Sequence, residues 1–273
     1  MENSARTVAT MRYSAPVLAK LQGSFRHLKT PLIDAPAAQR DPAVIQTVSE
    51  MLGDIERRGL DAVLDYARRL DRYDGRDIEL TSAQIASSGD RLPADLREAI
   101  ELGSERTKAF ASVQRASLKD FETELVPGLV TGARYIPVGR VGAYLPAGRF
   151  PLTASAFMTV GVAKAAGVPT VIACTPPQPD GAANDAVVYA AHLSGVDRVF
   201  VLGGVQALAA MAFGLLGDLP VDMLVGAGNA YVAEAKRQLF GTVAIDLLAG
   251  PSEVAVISDE TADPELVAAD LLG

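Results

Sequence analysis

From Arg134 onward, short apolar segments alternate with alanine-rich segments, and this alternation restricts the possible folds more than any other feature of the chain. The apolar segments predict strands near 134–144, 169–174, 198–202, 222–225, 242–246 and 253–257. The segments between them predict helices near 153–166, 182–194, 204–216 and 228–239. Strands and helices that alternate at this spacing form βαβ units, whose strands lie in a mainly parallel sheet. We therefore predict an α/β fold.

The residues before this alternation predict helices. Residues 1–40 have weak periodicity and predict an N-terminal arm with one short helix. Apolar spacing over 44–70 predicts two helices that meet near Gly59, because glycine readily ends a helix. Residues 78–80 predict a brief strand, and 96–118 predict a long amphipathic helix. The residues of that helix that we expect to face the core are Leu96, Ile100, Leu102, Ala109 and Phe110.

Charge and cysteine content exclude several classes of partner. The net charge is −8, from 33 acidic and 25 basic residues, which argues against nucleic acid and anionic membranes as partners. The uncharged stretch over 200–217 contains several glycines, so we interpret it as a buried strand and helix and not as a membrane span. The single cysteine, Cys174, excludes an internal disulfide and suits a reducing cytoplasm. It lies in an apolar run, and we favour a buried structural thiol over a nucleophile.

Two glycine turns, each between a strand and a helix, are candidates for ligand binding. They are Gly203-Gly204-Val205-Gln206 and Gly226-Ala227-Gly228-Asn229. Such turns can bind a nucleotide phosphate at a helix N-terminus. Neither is a complete G-x-G-x-x-G, since Tyr231 occupies the third glycine position of the second turn, and glycine required only for steric reasons explains them about as well. Asp246 could bind a ribose, although a loop or capping aspartate is the favoured interpretation.

Two further loops offer polar side chains. Tyr144 could stack on a base and nearby Arg149 could bind an anion, while Ser252 and Glu253 offer a hydroxyl and a carboxylate beside a glycine. Solvated surface loops are the alternative in both cases. His27 and His192 have no residues spaced from them as further zinc ligands, so we assign no metal ligand.

Four segments in this order and spacing resemble the histidinol dehydrogenase family over about residues 40–272. They read VGAYLPAGRFPLTASAFM, VLGGVQALAAM, VDMLVGAGNAYVAEAKR and IDLLAGPSEV. The resemblance implies an enzyme that depends on NAD and zinc and oxidises a small-molecule alcohol. It places Tyr144, Gln206 and Asn229 at positions that contact NAD, and Ser252 at a position that contacts the substrate.

The resemblance also implies a domain organisation and an assembly. The family has two Rossmann-like lobes with mainly parallel sheets, the second inserted in the first, and forms a homodimer whose subunits share active sites. We expect an arm over 1–40, the first part of the first lobe over 41–141, the inserted lobe over 142–252 and a return to the first lobe over 253–273.

Departures from the most common family motifs bear on the substrate. The segment Thr153-Ala-Ser-Ala-Phe-Met158 and the Gly-Gly-Val-Gln turn are more similar to the sulfopropanediol dehydrogenase branch, which oxidises a sulfonated diol. Arg149 would then be a partner for the sulfonate. The alternative within the family is histidinol dehydrogenase of histidine biosynthesis, which converts histidinol to histidine.

The last segment predicts a helix with Asp263 as its N-cap and Pro264 at its first position. In the family this helix precedes the zinc ligands and the catalytic Glu-His pair, so we expect those residues beyond Gly273 and assign no catalytic residue here. The chain alone would then be inactive. The remaining alternative is a non-catalytic nucleotide-binding or structural module.

Overall fold

The computed structural model describes residues 41–73, 77–147, 151–217, 219–248 and 254–272. The arm that the sequence predicts over residues 1–40 lies outside these described residues. So do Arg149 and Ser252, the two residues that we expect to contact the substrate.

Two helices open the described part of the chain. Helix α1 (Pro42–Arg58) begins at Asp41, whose side chain accepts a hydrogen bond of 2.8 Å from the backbone N–H of Ala43. Helix α2 (Leu60–Leu70) follows at once. Gly59 separates the two helices with φ +63°, a conformation that glycine adopts without a steric penalty. The prediction of two helices that meet at Gly59 is confirmed.

The long amphipathic helix is confirmed, but the face that the sequence assigned to the core is largely wrong. Helix α3 (Ser82–Ala86) and a 3-10 turn (Ser87–Arg91) lead into helix α4 (Ala94–Ser117). Of the five residues expected to face the core, Ile100 is buried, whereas Leu102 and Phe110 are 46% and 66% exposed. The buried positions of α4 form a narrow stripe of Ile100, Ser104 and Ala111, so a minority of its apolar residues pack.

An antiparallel hairpin follows α4 and was not predicted. Strand β1 (Phe121–Val126) pairs with β2 (Leu129–Ala133), and Gly128 in the turn has φ +87°. Most side chains of both strands are exposed. The expected strand over 134–144 begins only at Arg140.

The core is built on a five-stranded parallel sheet. Its strands are β3 (Arg140–Tyr144), β4 (Thr170–Thr175), β5 (Arg198–Val201), β6 (Met223–Val225) and β7 (Ala244–Ile245). They lie in the order β5-β4-β3-β6-β7, and every neighbouring pair is parallel.

The brief strand expected over 78–80 is a single antiparallel bridge from Glu79 to Phe200. The prediction of a strand over 253–257 is wrong for the described residues 254–257. These residues are exposed and pair with no described strand.

Helices cover both faces of this sheet. They are α5 (Thr153–Ala156) and α6 (Val162–Ala165), joined by a π-helical turn over Phe157–Gly161, then α7 (Asp185–Leu193), α8 (Gly204–Ala212) and α9 (Ala230–Leu239). A last helix, α10 (Pro264–Leu272), follows, and most of its described side chains are exposed. Successive residues of β4 alternate between two apolar clusters, Ile172 and Cys174 in one and Val171 and Ala173 in the other. The α/β class with a parallel sheet is confirmed. The lobe boundaries stay predictions.

The uncharged stretch over 200–217 is a buried strand end and a buried helix, as predicted, with Phe200, Leu208 and Met211 in the core. No helix among the described residues is long and apolar enough to cross a membrane. Cys174 is fully buried, and burial raises the pKa of its thiol far above the usual range, so the structural interpretation of this cysteine is confirmed.

The burial of α8 makes a prediction about stability. Leu208→Ala should lower the free energy of unfolding by about 2–5 kcal/mol, because the side chain is 1% exposed and its loss leaves a cavity. Leu125→Ala removes the same atoms from a side chain that is 63% exposed and should cost no more than about 0.5 kcal/mol. Urea unfolding followed by circular dichroism measures both, and equal losses would contradict the placement of α8.

Candidate functional site

The order of the strands identifies where a ligand would bind. Strand β3 comes first along the chain, β4 lies on one side of it and β6 on the other, so the strand order reverses between β3 and β6. Open parallel sheets bind ligands at this point, outside the carboxyl ends of the strands. A cleft of about 1000 Å³, which we call the switch-point cleft, opens there. Its lining includes Tyr144, Gln206 and Asn229, the three residues that the sequence assigns to NAD.

Tyr144 is the last residue of β3 and supports the turn that begins α8. Its Oη accepts a hydrogen bond of 3.1 Å from the backbone N–H of Gly204. Burial raises the pKa of Tyr144 to about 12, although the Gly204 N–H acts to lower it, so the phenol is neutral at physiological pH. The ring is buried, and Tyr144 is part of the cleft lining.

The turn after β6 is fixed by a close backbone contact. Gly226 has φ +116°, and a Cβ at this position would be 2.3 Å from the carbonyl oxygen of Tyr144. Only glycine allows this approach. Asn229 then caps α9, its Oδ1 accepting from the N–H groups of Tyr231 at 3.0 Å and Val232 at 3.1 Å. Because the cap uses Oδ1, Nδ2 is the atom of this amide that a ligand could use.

Asp246 stabilises the same turn through a hydrogen bond to Gly226. Its Oδ2 accepts from the Gly226 N–H at 2.8 Å, and its Oδ1 is paired with the ammonium of Lys236, which is 3% exposed. Lys236 also donates to the carbonyl oxygens of Gly226 at 2.8 Å and Leu247 at 2.7 Å, so the ammonium has three acceptors. These contacts support the favoured interpretation of Asp246 as a structural loop aspartate.

The turn after β5 depends on Asp71, a residue that the sequence did not single out. Its Oδ2 accepts from the Gly203 N–H at 3.0 Å and from Gln206 Nε2 at 2.9 Å. Burial raises the pKa of Asp71, while these two hydrogen bonds act to lower it. Gln206 is 1% exposed, and its Oε1 has no hydrogen-bond partner among the described residues. Asp71 stands 132 residues from Gly203 along the chain, so no local pattern could have identified it.

Side chains from α1, α2 and α9 complete the wall of the cleft. Tyr231, which we noted only as a replacement for a glycine, is 42% exposed and lines it. Arg69 also lines it and lies over the ring of Tyr66, 5.5 Å from the centroid, which places a positive charge at the cleft. Within the described ranges, no group of three or more His, Cys, Asp or Glu side chains could hold a metal ion.

Comparison with known proteins gives consistent matches. A family model described as "Histidinol dehydrogenase" matches residues 35–273. A "Histidinol dehydrogenase homolog" of Ruegeria pomeroyi is 48% identical over 238 residues, which cover 87% of this chain and 54% of that protein. A "Sulfopropanediol 3-dehydrogenase" of the same organism is 46% identical over 229 residues, covering 84% and 52%. The crystal structure of histidinol dehydrogenase from Elizabethkingia anophelis matches with a TM-score of 0.78 at 33% identity, covering 89% of this chain and 57% of that one. The chain thus spans about half the length of the curated relatives it matches.

The effect of the close contact at Gly226 on stability can be measured separately from the effect of its positive φ. Gly241 has φ +106° and open space around a Cβ, so Gly241→Ala should cost only about 1–2 kcal/mol of unfolding free energy for its backbone conformation. Gly226→Ala should cost about 1–3 kcal/mol more, because the added Cβ collides with the Tyr144 carbonyl. Chemical unfolding of the two variants measures the difference. Equal costs would show that β3 and the β6–α9 turn are further apart than described.

Proposed function

The chain belongs to the histidinol dehydrogenase family, and on that premise we propose that it is the cofactor-binding part of an oxidoreductase, with NAD bound in the switch-point cleft. The family resemblance inferred from four motifs is thereby confirmed. One observation carries the proposal for NAD: Tyr144 at the end of β3, Gln206 in the first turn of α8 and Asn229 at the cap of α9 line one cleft.

The groups at the cleft fit a dinucleotide. Gln206 offers a buried acceptor without a partner among the described residues, and Asn229 offers a donor. Arg69 brings a positive charge to the cleft, which suits a diphosphate. A volume of about 1000 Å³ is at the upper end of the range typical of ligand sites. Bound NAD supplies the hydride acceptor for alcohol oxidation, and the residues of this chain bind and orient it.

The remaining chemistry requires groups that the described residues do not provide. They contain no cluster that fits zinc. We propose that the zinc ligands and the acid–base residues of the whole protein belong to the half of the family sequence that this chain does not span, and that a second subunit completes the site. A cytoplasmic location would suit the single buried cysteine.

For the substrate, we favour a sulfonated diol of the sulfopropanediol type. The support is the 153–158 segment, the Gly-Gly-Val-Gln turn and the 46% identity to a sulfopropanediol 3-dehydrogenase. Arg149 would bind the sulfonate and Ser252 would contact the same substrate. Histidinol is the alternative, since other relatives carry the histidinol dehydrogenase name.

A second candidate function is a nucleotide-binding module without catalysis. It is favoured by one observation: the described residues line a ligand-sized cleft but include no group of side chains that could hold a metal ion. NAD binding without any turnover in the whole protein would support this candidate.

Substitution of Gln206 tests the cofactor site. Gln206→Ala should weaken NAD⁺ binding about threefold to tenfold, because a net hydrogen bond contributes about 0.5–1.5 kcal/mol. Gln114→Ala, on an exposed position of α4, is the matched control and should leave the dissociation constant unchanged. Ligand-observed NMR suits the weak binding that we expect of this chain alone. No NAD⁺ signal in the wild type would refute the cofactor, and equal constants for both variants would place NAD⁺ elsewhere.

Substitution of Arg149 tests the substrate. In an active protein that carries this chain, Arg149→Ala should reduce the oxidation of dihydroxypropanesulfonate at least about tenfold, because a charged hydrogen bond contributes about 1.5–3 kcal/mol. The control is Arg134→Ala, whose side chain is 72% exposed. NADH absorbance gives both rates. Turnover of histidinol with no activity on the sulfonate would assign the chain to the histidinol branch instead.

A further inference from the structure

The end of helix α2 contains an unusual backbone conformation. The N–H groups of Asp71 and Tyr73 both donate to the carbonyl oxygen of Ala67, at 3.0 and 3.1 Å, so the chain reverses sharply after the helix. Arg72 makes the reversal with φ +55° and is the only non-glycine residue of positive φ in the described part of the chain. Glycine normally occupies this position, and another residue costs conformational free energy. The strained turn directly follows Asp71.

The turn after β5 is shaped around the carboxylate of Asp71. Both Gly203 N–H and Gln206 Nε2 donate to the same oxygen, Oδ2. A Cβ at Gly203 would be 2.8 and 2.9 Å from the two carboxylate oxygens, so a side chain there would displace Asp71. The strained turn at Arg72 and the lack of a side chain at Gly203 thus both allow the Asp71 carboxylate to contact the turn after β5.

This contact determines which way the Gln206 amide points. A carboxylate only accepts hydrogen bonds, so Gln206 must present its NH₂ group to Asp71 and turn Oε1 away. Oε1 is then buried without a partner among the described residues. It lies toward Gly204, which also lines the cleft, because a Cβ at Gly204 would be 3.2 Å from it. A buried acceptor without a partner is costly unless a ligand satisfies it.

We propose that Asp71 is a positioning residue, which fixes Gln206 as a hydrogen-bond acceptor toward the switch-point cleft. The ligand group that meets Gln206 is therefore a donor, a hydroxyl or an amino group. The orientation of Gln206 is independent of which ligand binds. The identity of the ligand rests on the proposed function, and NAD carries donors of both kinds on its riboses, carboxamide and adenine.

Two substitutions of Asp71 separate positioning from charge. Asp71→Asn keeps one oxygen that can accept both hydrogen bonds, so NAD⁺ affinity should stay within about twofold of the wild type. Asp71→Ala removes both bonds and releases the Gln206 amide, so affinity should fall about threefold to tenfold, as in Gln206→Ala. Asp61→Ala, on an exposed position of the same helix, is the control and should change nothing. An Asn variant that loses as much as the Ala variant would overturn the proposal.

Substitution of Gly203 tests the same contact in case Asp71→Ala does not fold. Gly203→Ala places a Cβ 2.8 and 2.9 Å from the two carboxylate oxygens of Asp71, so Asp71 must move away from Gln206. NAD⁺ affinity should then fall about threefold to tenfold. Unchanged affinity would overturn the proposal.

A readout without ligand keeps this inference separate from the proposed function. The side-chain NH₂ of Gln206 should exchange its hydrogens slowly in the wild type and in Asp71→Asn, and at least about tenfold faster in Asp71→Ala. If no NAD⁺ binds but this pattern holds, the proposed function fails and the orientation of Gln206 stands. Fast exchange in the wild type would overturn the role of Asp71.

Discussion

The close approach of Gly226 to the carbonyl oxygen of Tyr144 is the contact on which the site depends. It brings the turn after β6 against the end of β3, where the strand order reverses. The same turn is held from the other side by Lys236 and Asp246. A buried ammonium is stable only when its donors are satisfied, and Lys236 has three acceptors here, so the loss of Asp246 would be costly. Asn229 follows this turn, caps the N-terminus of α9 and lines the cleft.

The turn after β5 is held in a different way. Its support comes from Tyr144 within the sheet and from Asp71 at the end of a helix outside it. The two supports share one consequence: the backbone N–H groups of Gly203 and Gly204 are both occupied by protein atoms. The ligand-facing group of this turn is then the amide of Gln206. A turn that looks in sequence like a phosphate loop is here a scaffold for one side chain.

Local patterns predicted those elements whose cause is local. Gly59 between two helices and the alternation of strands and helices both follow from neighbouring residues, and the motifs that contain Tyr144 and Gln206 identified residues that line one cleft. Asp71 could not be predicted, because its partners are 132 and 135 residues away. The core face of α4 was wrong because only a narrow stripe of it packs, and periodicity cannot show how wide a contact is. The β1–β2 hairpin was missed, and it contributes little to the core, because most of its side chains are exposed.

Binding of NAD⁺ at the switch-point cleft is the central claim, and mapping of backbone chemical shifts during an NAD⁺ titration tests it most directly. The account predicts that the largest changes occur at Gly204, Gln206 and Asn229. The described residues form a second cleft of about 930 Å³, lined by Arg91, Asp185 and Arg198, where shifts should stay small. Changes concentrated at that second cleft, or none at saturating NAD⁺, would contradict the account.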